Sequence, residues 1–204
     1  SNEVHRREAF FRENCLRADR IQTISKFSQD RIEACFPDSQ GKVFYTHLPV
    51  HSRLGLAQEA KTKREGLPYV LYPANFWPHK NHAFLFEAYK CYCDRAKGEP
   101  WHLVLSGNND HGSQQFMAHV KEAGWEDRIH FLGHLDEGAF ARLFRRAGAL
   151  VFPSKYEGFG IPPLEAMLHD IPIIHSAAGS LPEIVGSGGF CVRNFSPMGW
   201  AEAM

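Results

Sequence analysis

The segment Pro153-Ser-Lys-Tyr-Glu157-Gly-Phe-Gly-Ile-Pro-Pro-Leu-Glu165-Ala-Met167 decides how this chain is read. It follows a short apolar run, Ala149-Leu-Val-Phe152, with the length and composition of a buried strand. It ends in helix-favouring Leu164-Glu-Ala-Met-Leu168, and Pro162-Pro163 stand where a helix can begin without losing a needed N–H. The order is therefore strand, glycine-bearing loop, helix N-terminus, with Glu157 in the loop and Glu165 expected in the first helical turn. A helix N-terminus after a strand draws anions through its unbonded N–H groups and the helix dipole. Two carboxylates beside it repel a bare phosphate but suit hydroxyls, because an ionised carboxylate accepts several O–H bonds. A ligand with phosphate at its centre and hydroxyl-rich groups at both ends meets every one of these conditions. A nucleotide-sugar is such a ligand.

Outward from this segment the chain alternates strand and helix. Strands are predicted at 69–73, 102–106, 128–132, 149–153, 171–175 and 189–193, and helices at 81–96, 113–124, 137–147, 163–169 and 180–186. In helix 137–147, Asp136 offers a cap, and Phe140, Leu143, Phe144 and Ala147 fall at i, i+3, i+4 and i+7. Helix 81–96 places Phe84, Leu85, Ala88, Cys91 and Tyr92 on one side. This alternation predicts an α/β fold, a Rossmann-like doubly wound parallel sheet that takes its ligand at the carboxyl ends of the strands. Upstream, a helix over 5–18, a strand over 20–24, a helix capped by Ser25 or Ser28 and ended by Pro37, and a strand over 42–46 form a partial α/β segment. Residues 47–66 carry no clear period and read as a linker. Trp200-Ala-Glu-Ala-Met204 lies early in a further helix, so a fragment of a longer protein is expected.

Composition narrows the function. The 204 residues carry 23 basic and 23 acidic side chains, which gives no global electrostatic case for nucleic acid. A hydrophobic fraction of 44% and 16 Phe support a packed core. No apolar run approaches the ~20 residues of a membrane helix. Five Cys without zinc-site spacing suit the reduced thiols of a cytoplasmic protein. No His-Glu-x-x-His pattern occurs among the 12 His, and no metal site is expected. Gly158-x-Gly160 lacks the third glycine of a dinucleotide fingerprint, and no G-x-x-x-x-G-K-[ST] exists, which disfavours a dehydrogenase and excludes a P-loop nucleotidase.

A second constellation is Tyr72-Pro-Ala-Asn-Phe-Trp-Pro-His79-Lys80-Asn81-His82, between the strand at 69–73 and the helix opening at 81. A lysine at a helix entrance beside the carboxyl edge of a sheet is a suitable point charge for a diphosphate. By position alone such a lysine is more often a solvated surface residue.

Taken together, Pro78-His-Lys80-Asn81 and Ser154-x-x-Glu157-Gly-Phe-Gly-Ile-Pro-Pro-Leu-Glu165-Ala-Met resemble family 4 of the retaining GT-B glycosyltransferases, whose hallmark is two glutamates separated by seven residues. The resemblance continues through Ile129-His-Phe-Leu-Gly133-His134-Leu135, Ala147-Gly-Ala-Leu-Val-Phe-Pro-Ser154 and Gly179-Ser-Leu-Pro-Glu183-Ile-Val185. Residues 69–193 are similar to a donor-binding domain, and Ala18-Asp-Arg-Ile-Gln-Thr-Ile-Ser25 is similar to the last part of an acceptor domain. The implied organisation is acceptor-domain tail at 1–47, linker at 48–67, and a truncated nucleotide-sugar-binding domain at 68–204.

The resemblance implies an enzyme moving a hexose, with retention, from GDP-mannose or a UDP-sugar to a glycan or lipid-linked acceptor, without cofactor or metal. It implies that Glu157 holds hydroxyls of the donor hexose, Glu165 the ribose hydroxyls, and that Lys80 neutralises the departing diphosphate. Gly158, Phe159, Gly160, Ile161 and Leu164 surround the sugar or phosphate, with backbone donors expected from 159–161 or Leu164 because Pro162 and Pro163 have none. His134 and Leu135 lie by the base, and Gly107 permits close approach to the diphosphate. Two departures stand out. Where many relatives carry an arginine, this chain has Ala74 and Asn75, with His79 a weaker substitute; and Asp170 replaces a turn glycine.

Blander readings accompany several residues. Glu183 suits the start of a short helix. Trp77 either stacks on a base or sugar or serves as a packing plug. Arg142, Arg145 and Arg146 form a charged face able to meet anionic lipid, which extends the expected cytoplasmic location to the inner face of a membrane. A donor-binding but inactive fragment, or a GT-B epimerase or phosphorylase, is the alternative function.

Overall fold

The computed structural model describes residues 2–49 and 68–204; the expected linker lies almost wholly outside them. The chain divides into two compact units, with the boundary after Pro49.

The first unit contains α1 (Asn2–Arg17), β1 (Ile21–Thr23), α2 (Lys26–Cys35) and β2 (Val43–Tyr45). β1 and β2 pair in parallel, Ile21 opposite Val43. Of the two candidate caps, Ser25 is the one used. Its backbone is extended, and its Oγ accepts the Ser28 N–H at 3.1 Å, satisfying one orphan donor of α2.

The second unit runs β3 (Tyr69–Pro73), α3 (His82–Arg95), β4 (His102–Ser106), α4 (His111–Glu122), β5 (Ile129–Phe131), α5 (Glu137–Arg146), β6 (Ala149–Phe152), α6 (Ile161–Leu168), β7 (Ile173–Ser176), α7 (Leu181–Val185), β8 (Phe190–Val192) and α8 (Pro197–Ala203). Its strands form one parallel sheet in the order β5-β4-β3-β6-β7-β8. Helices cover both faces of such a sheet, so its strands are apolar without alternation. Val70-Leu-Tyr72, Leu103-Val-Leu105 and Leu150-Val-Phe152 are all buried.

Local chemistry sets the helix starts. Asp110 and Ser113 form a reciprocal capping box for α4, and Asp136 accepts the Ala139 N–H at 2.8 Å to begin α5. In α3 the inward set differs from the expected stripe. His82, Leu85, Phe86, Ala88 and Tyr89 are buried, whereas Phe84 turns toward α8, its ring 5.3 Å from Phe195 and 5.7 Å from Trp200. α8 begins at Pro197, three residues before Trp200. The Ser196 Oγ accepts the Gly199 N–H, and the fully buried Trp200 donates its indole N–H to the Asn194 carbonyl at 2.8 Å.

From β3 the chain moves outward through β4 to β5, then crosses back to place β6 on the other side of β3. Strand direction of travel therefore reverses between β3 and β6, and the loops leaving their carboxyl ends diverge into a crevice. Every element of the site is hung on that point.

Candidate active site

The loop after β3 ends in a single tight turn, Pro78–Lys80, whose first residue needs no N–H. Asn81 closes the turn with φ 64°, a left-handed conformation that Asn tolerates. Two bonds tie this turn to the loop after β6, and Tyr72 of β3 stands between them. The Asn81 amide donates to the Pro153 carbonyl at 3.2 Å, and the Lys155 N–H donates to the His79 carbonyl at 2.7 Å. The Tyr72 hydroxyl donates to the Lys80 carbonyl at 2.6 Å and lies 3.4 Å from the Ser154 Oγ. Burial pushes the Tyr72 phenol up, so it stays protonated as that donor.

The loop carrying Glu157 is fixed from its other side. The Ser180 N–H and Oγ donate to the Glu157 carbonyl at 3.1 and 3.2 Å, and the same Oγ donates to the Phe159 carbonyl at 2.9 Å. Gly179 has φ 62°, and a Cβ there would stand 2.3 Å from the Glu157 carbonyl oxygen. With both loops held, the Lys80 ammonium rests 2.6 Å from the Glu157 carboxylate and 5.5 Å from the Phe152 ring centre. The two side chains are only 15% and 11% exposed, so salt screens this pair far less than a surface one.

α6 corrects two expectations. It begins at Ile161, behind Gly160 with φ 104°, so Glu165 is its fifth residue and stands in the second turn rather than the first. Leu164 is no free donor, because its N–H already bonds the Gly160 carbonyl at 3.3 Å. The Ile161 N–H, at the first helical position, has no acceptor within the helix. Glu165 lies four residues beyond Ile161 on the same helix face, is 2% exposed, and is not among the residues that line the cleft.

Those lining residues enclose about 810 Å³ at the carboxyl edge of β3, β4 and β5. Lys80, Gly107, His134, Leu135 and Ile161 all border it, together with Asn75, Trp77 and the start of α5. Gly158, Phe159 and Gly160 form the adjoining loop, with the Phe159 side chain buried. The close approach at Gly107 is to protein: a Cβ would lie 2.6 Å from the Ala74 carbonyl oxygen. Asn75, standing where relatives carry arginine, instead accepts the Asn108 N–H at 2.8 Å and bridges the loops after β3 and β4. Lys80 is thus the one lysine or arginine among the described residues lining the cleft. Asp170 takes φ 52° and replaces the turn glycine without leaving the left-handed region.

Sequence reading missed His82. Its ring stacks on Phe76 at 3.9 Å and 18°, lies 4.9 Å from Tyr72, and hydrogen-bonds the Ala74 backbone beside the cleft. Its Nε2 is buried without a partner. Burial lowers its pKa to about 4. The only signal in the sequence was its place at the helix entrance, since the aromatic box around it is assembled from three separate elements. The folded state keeps His82 neutral down to about pH 4, whereas the unfolded chain binds that proton near 6.5. Its contribution is therefore complete above 6.5 and is lost as pH falls toward 4, by up to roughly 3 kcal/mol. Denaturant melts at pH 7 and pH 5 should show this loss in the wild type and a smaller one in His82→Phe.

Comparison with known proteins places the fold in a family. The family model of glycosyl transferases group 1 matches residues 56–204. The chain belongs to that family. Among group 1 relatives, it is 31% identical over 178 residues to the O-antigen chain mannosyltransferase B of Escherichia coli, covering 83% of this chain and 46% of that protein. It is 27% identical over 189 residues to the O-antigen chain mannosyltransferase RfbU of Salmonella typhimurium, covering 92% and 50%. The chain thus spans about half the length of these relatives. Sucrose-phosphate synthase from Thermosynechococcus elongatus superposes with a TM-score of 0.80 at 23% identity, over 98% of this chain and 51% of that one. Anabaena Alr3699/HepE in complex with UDP and glucose gives 0.79 at 19%, over 96% and 55%. The group 1 fold here is the GT-B fold, and the six-stranded sheet is its C-terminal Rossmann-like domain.

Proposed function

We propose that this chain carries the donor site of a retaining hexosyltransferase, which moves a hexose from GDP-mannose or a UDP-sugar to a glycan or lipid-linked acceptor. The observation that carries the reading is the Lys80 ammonium held 2.6 Å from the Glu157 carboxylate by two cross-bonded loops at the switch point. The mannosyltransferase names of the sequence relatives, and the UDP and glucose in complex with Anabaena Alr3699/HepE, support the same class of ligand.

Chemically, departure of the hexose leaves negative charge on a nucleoside diphosphate. Lys80 and the Ile161 N–H stand ready to receive it without reorganisation, which is how a fixed cation and fixed dipole lower such a barrier. Glu157 accepts hydroxyls of the hexose and holds Lys80 in place; its role is positioning and electrostatic, not covalent. Glu165 receives the ribose hydroxyls, and His134 and Leu135 flank the base. Residues 1–47 belong to the tail of an acceptor domain. None of the helices among the described residues is long and apolar enough to cross a membrane.

Calorimetric titration of the chain with GDP, UDP, ADP and their sugars tests the reading. One diphosphate should bind and raise the melting temperature, by about 2.7 kcal/mol of stabilisation at a hundredfold excess over Kd. Glu165→Gln keeps the buried shape and should weaken that nucleotide about tenfold while leaving the unliganded melt nearly unchanged. The 2′-deoxy nucleotide should show no further loss in this variant, since the two changes remove the same bond. Unchanged affinity in Glu165→Gln removes the ribose assignment.

A further inference from the structure

One large aromatic on the cleft wall has no part in the roles above. Of the four tryptophans, Trp200 is fully buried and Trp101 and Trp125 pack against the core, whereas Trp77 is 54% exposed and lines the cleft. The packing-plug reading therefore fails, because Trp77 is not part of the core it would plug. Its backbone is nonetheless rigidly held. The Trp77 N–H donates to the Asn75 carbonyl, its own carbonyl accepts the Lys80 N–H, both at 2.8 Å, and Pro78 follows. The indole is therefore presented on a fixed turn.

The indole and the Lys80 side chain border the same cleft. The His79 ring lies 5.6 Å from the indole and props it from within the turn. The segment 133–137 lines the cleft from another loop, after β5. An aromatic face carries negative charge density and a wide apolar surface, and it suits the partly positive C–H face of a pyranose. Lys80, on the same cleft, is bonded at 2.6 Å to Glu157, the hydroxyl acceptor that such a ring needs.

We infer that Trp77 is a stacking platform for a pyranose ring, that of the donor hexose or of the acceptor sugar. This rests on the donor-site reading above. The test is calorimetry on wild type, Trp77→Leu and Trp77→Phe, with GDP and UDP, GDP-mannose and UDP-glucose, and methyl α-mannoside titrated into diphosphate-saturated protein. The expected result is a roughly 2- to 12-fold loss in Trp77→Leu for whichever sugar-bearing probe the platform holds, largely restored in Trp77→Phe. The bare diphosphate should bind all three proteins alike, and their melting temperatures should agree. Loss with the nucleotide-sugar assigns the donor hexose; loss with the methyl glycoside assigns the acceptor. Equal loss for diphosphate and nucleotide-sugar overturns the inference in favour of a base or phosphate contact, and no loss for any probe overturns it outright. A wild type that binds no diphosphate sinks the donor-site reading, and this inference with it.

Discussion

Replacing Lys80 with alanine is expected to lower nucleoside diphosphate affinity by about 10- to 100-fold, the range for losing one hydrogen bond between charged groups. The same change should cost roughly 2–4 kcal/mol of stability, because it strands the carboxylate of the largely buried Glu157 without a counter-charge. Those two effects have different origins and can be separated. Lys80→Met combined with Glu157→Gln removes both charges and keeps both shapes, so the melting temperature should recover while the affinity does not. Glu157→Gln alone carries the opposite sign for the bare diphosphate. Lys80 then has no competing carboxylate 2.6 Å away, and the diphosphate should bind more tightly. The nucleotide-sugar should not share that gain, since the hydroxyl acceptor is weakened at the same time. Calorimetry on the four proteins, paired with urea melts, checks the whole set. Wild-type diphosphate affinity in Lys80→Ala removes Lys80 from the site.

The central strands of the second unit were readable because they are buried on both faces, and a continuous apolar run such as Leu103-Val-Leu105 has few other interpretations. The βα alternation implied a parallel, doubly wound sheet with its ligand site at the carboxyl ends, but not the strand order. The Lys80–Glu157 contact joins residues 77 apart, and it exists because β3 and β6 are neighbours at the point where the winding reverses. What was not readable depends on tertiary partners. Phe84 packs toward Phe195 and Trp200, which a later segment brings against α3. Asn75 has no local signature, since its partner is a backbone N–H on another loop. The start of α6 was misplaced because two consecutive prolines fit the first turn at either of two registers. Only Gly160, with φ 104°, sets the register and moves Glu165 into the second turn.

Gly179→Ala should be among the most damaging single-methyl additions in the second unit. At φ 62° an alanine is already disfavoured by roughly 1–2 kcal/mol. The added Cβ would also fall 2.3 Å from the carbonyl oxygen and 2.7 Å from the nitrogen of Glu157, and both are backbone atoms with no rotamer to escape into. Overpacking of this kind costs about 1–3 kcal/mol more. Relief requires the loop at Glu157 to move off Ser180, breaking the bonds from its N–H and Oγ and carrying the carboxylate away from Lys80. The expected result is a loss of roughly 3 kcal/mol, a fall in melting temperature of about 6–12 °C, and weaker nucleotide binding even where the variant is fully folded. Gly124→Ala is the matched control. Its φ is 75°, but nothing lies within 4 Å of the new methyl, so only the backbone penalty applies and nucleotide affinity should be untouched. If the two variants melt together and bind alike, then the backbone of Glu157 is not held by that close approach, and the carboxylate is positioned by Lys80 alone.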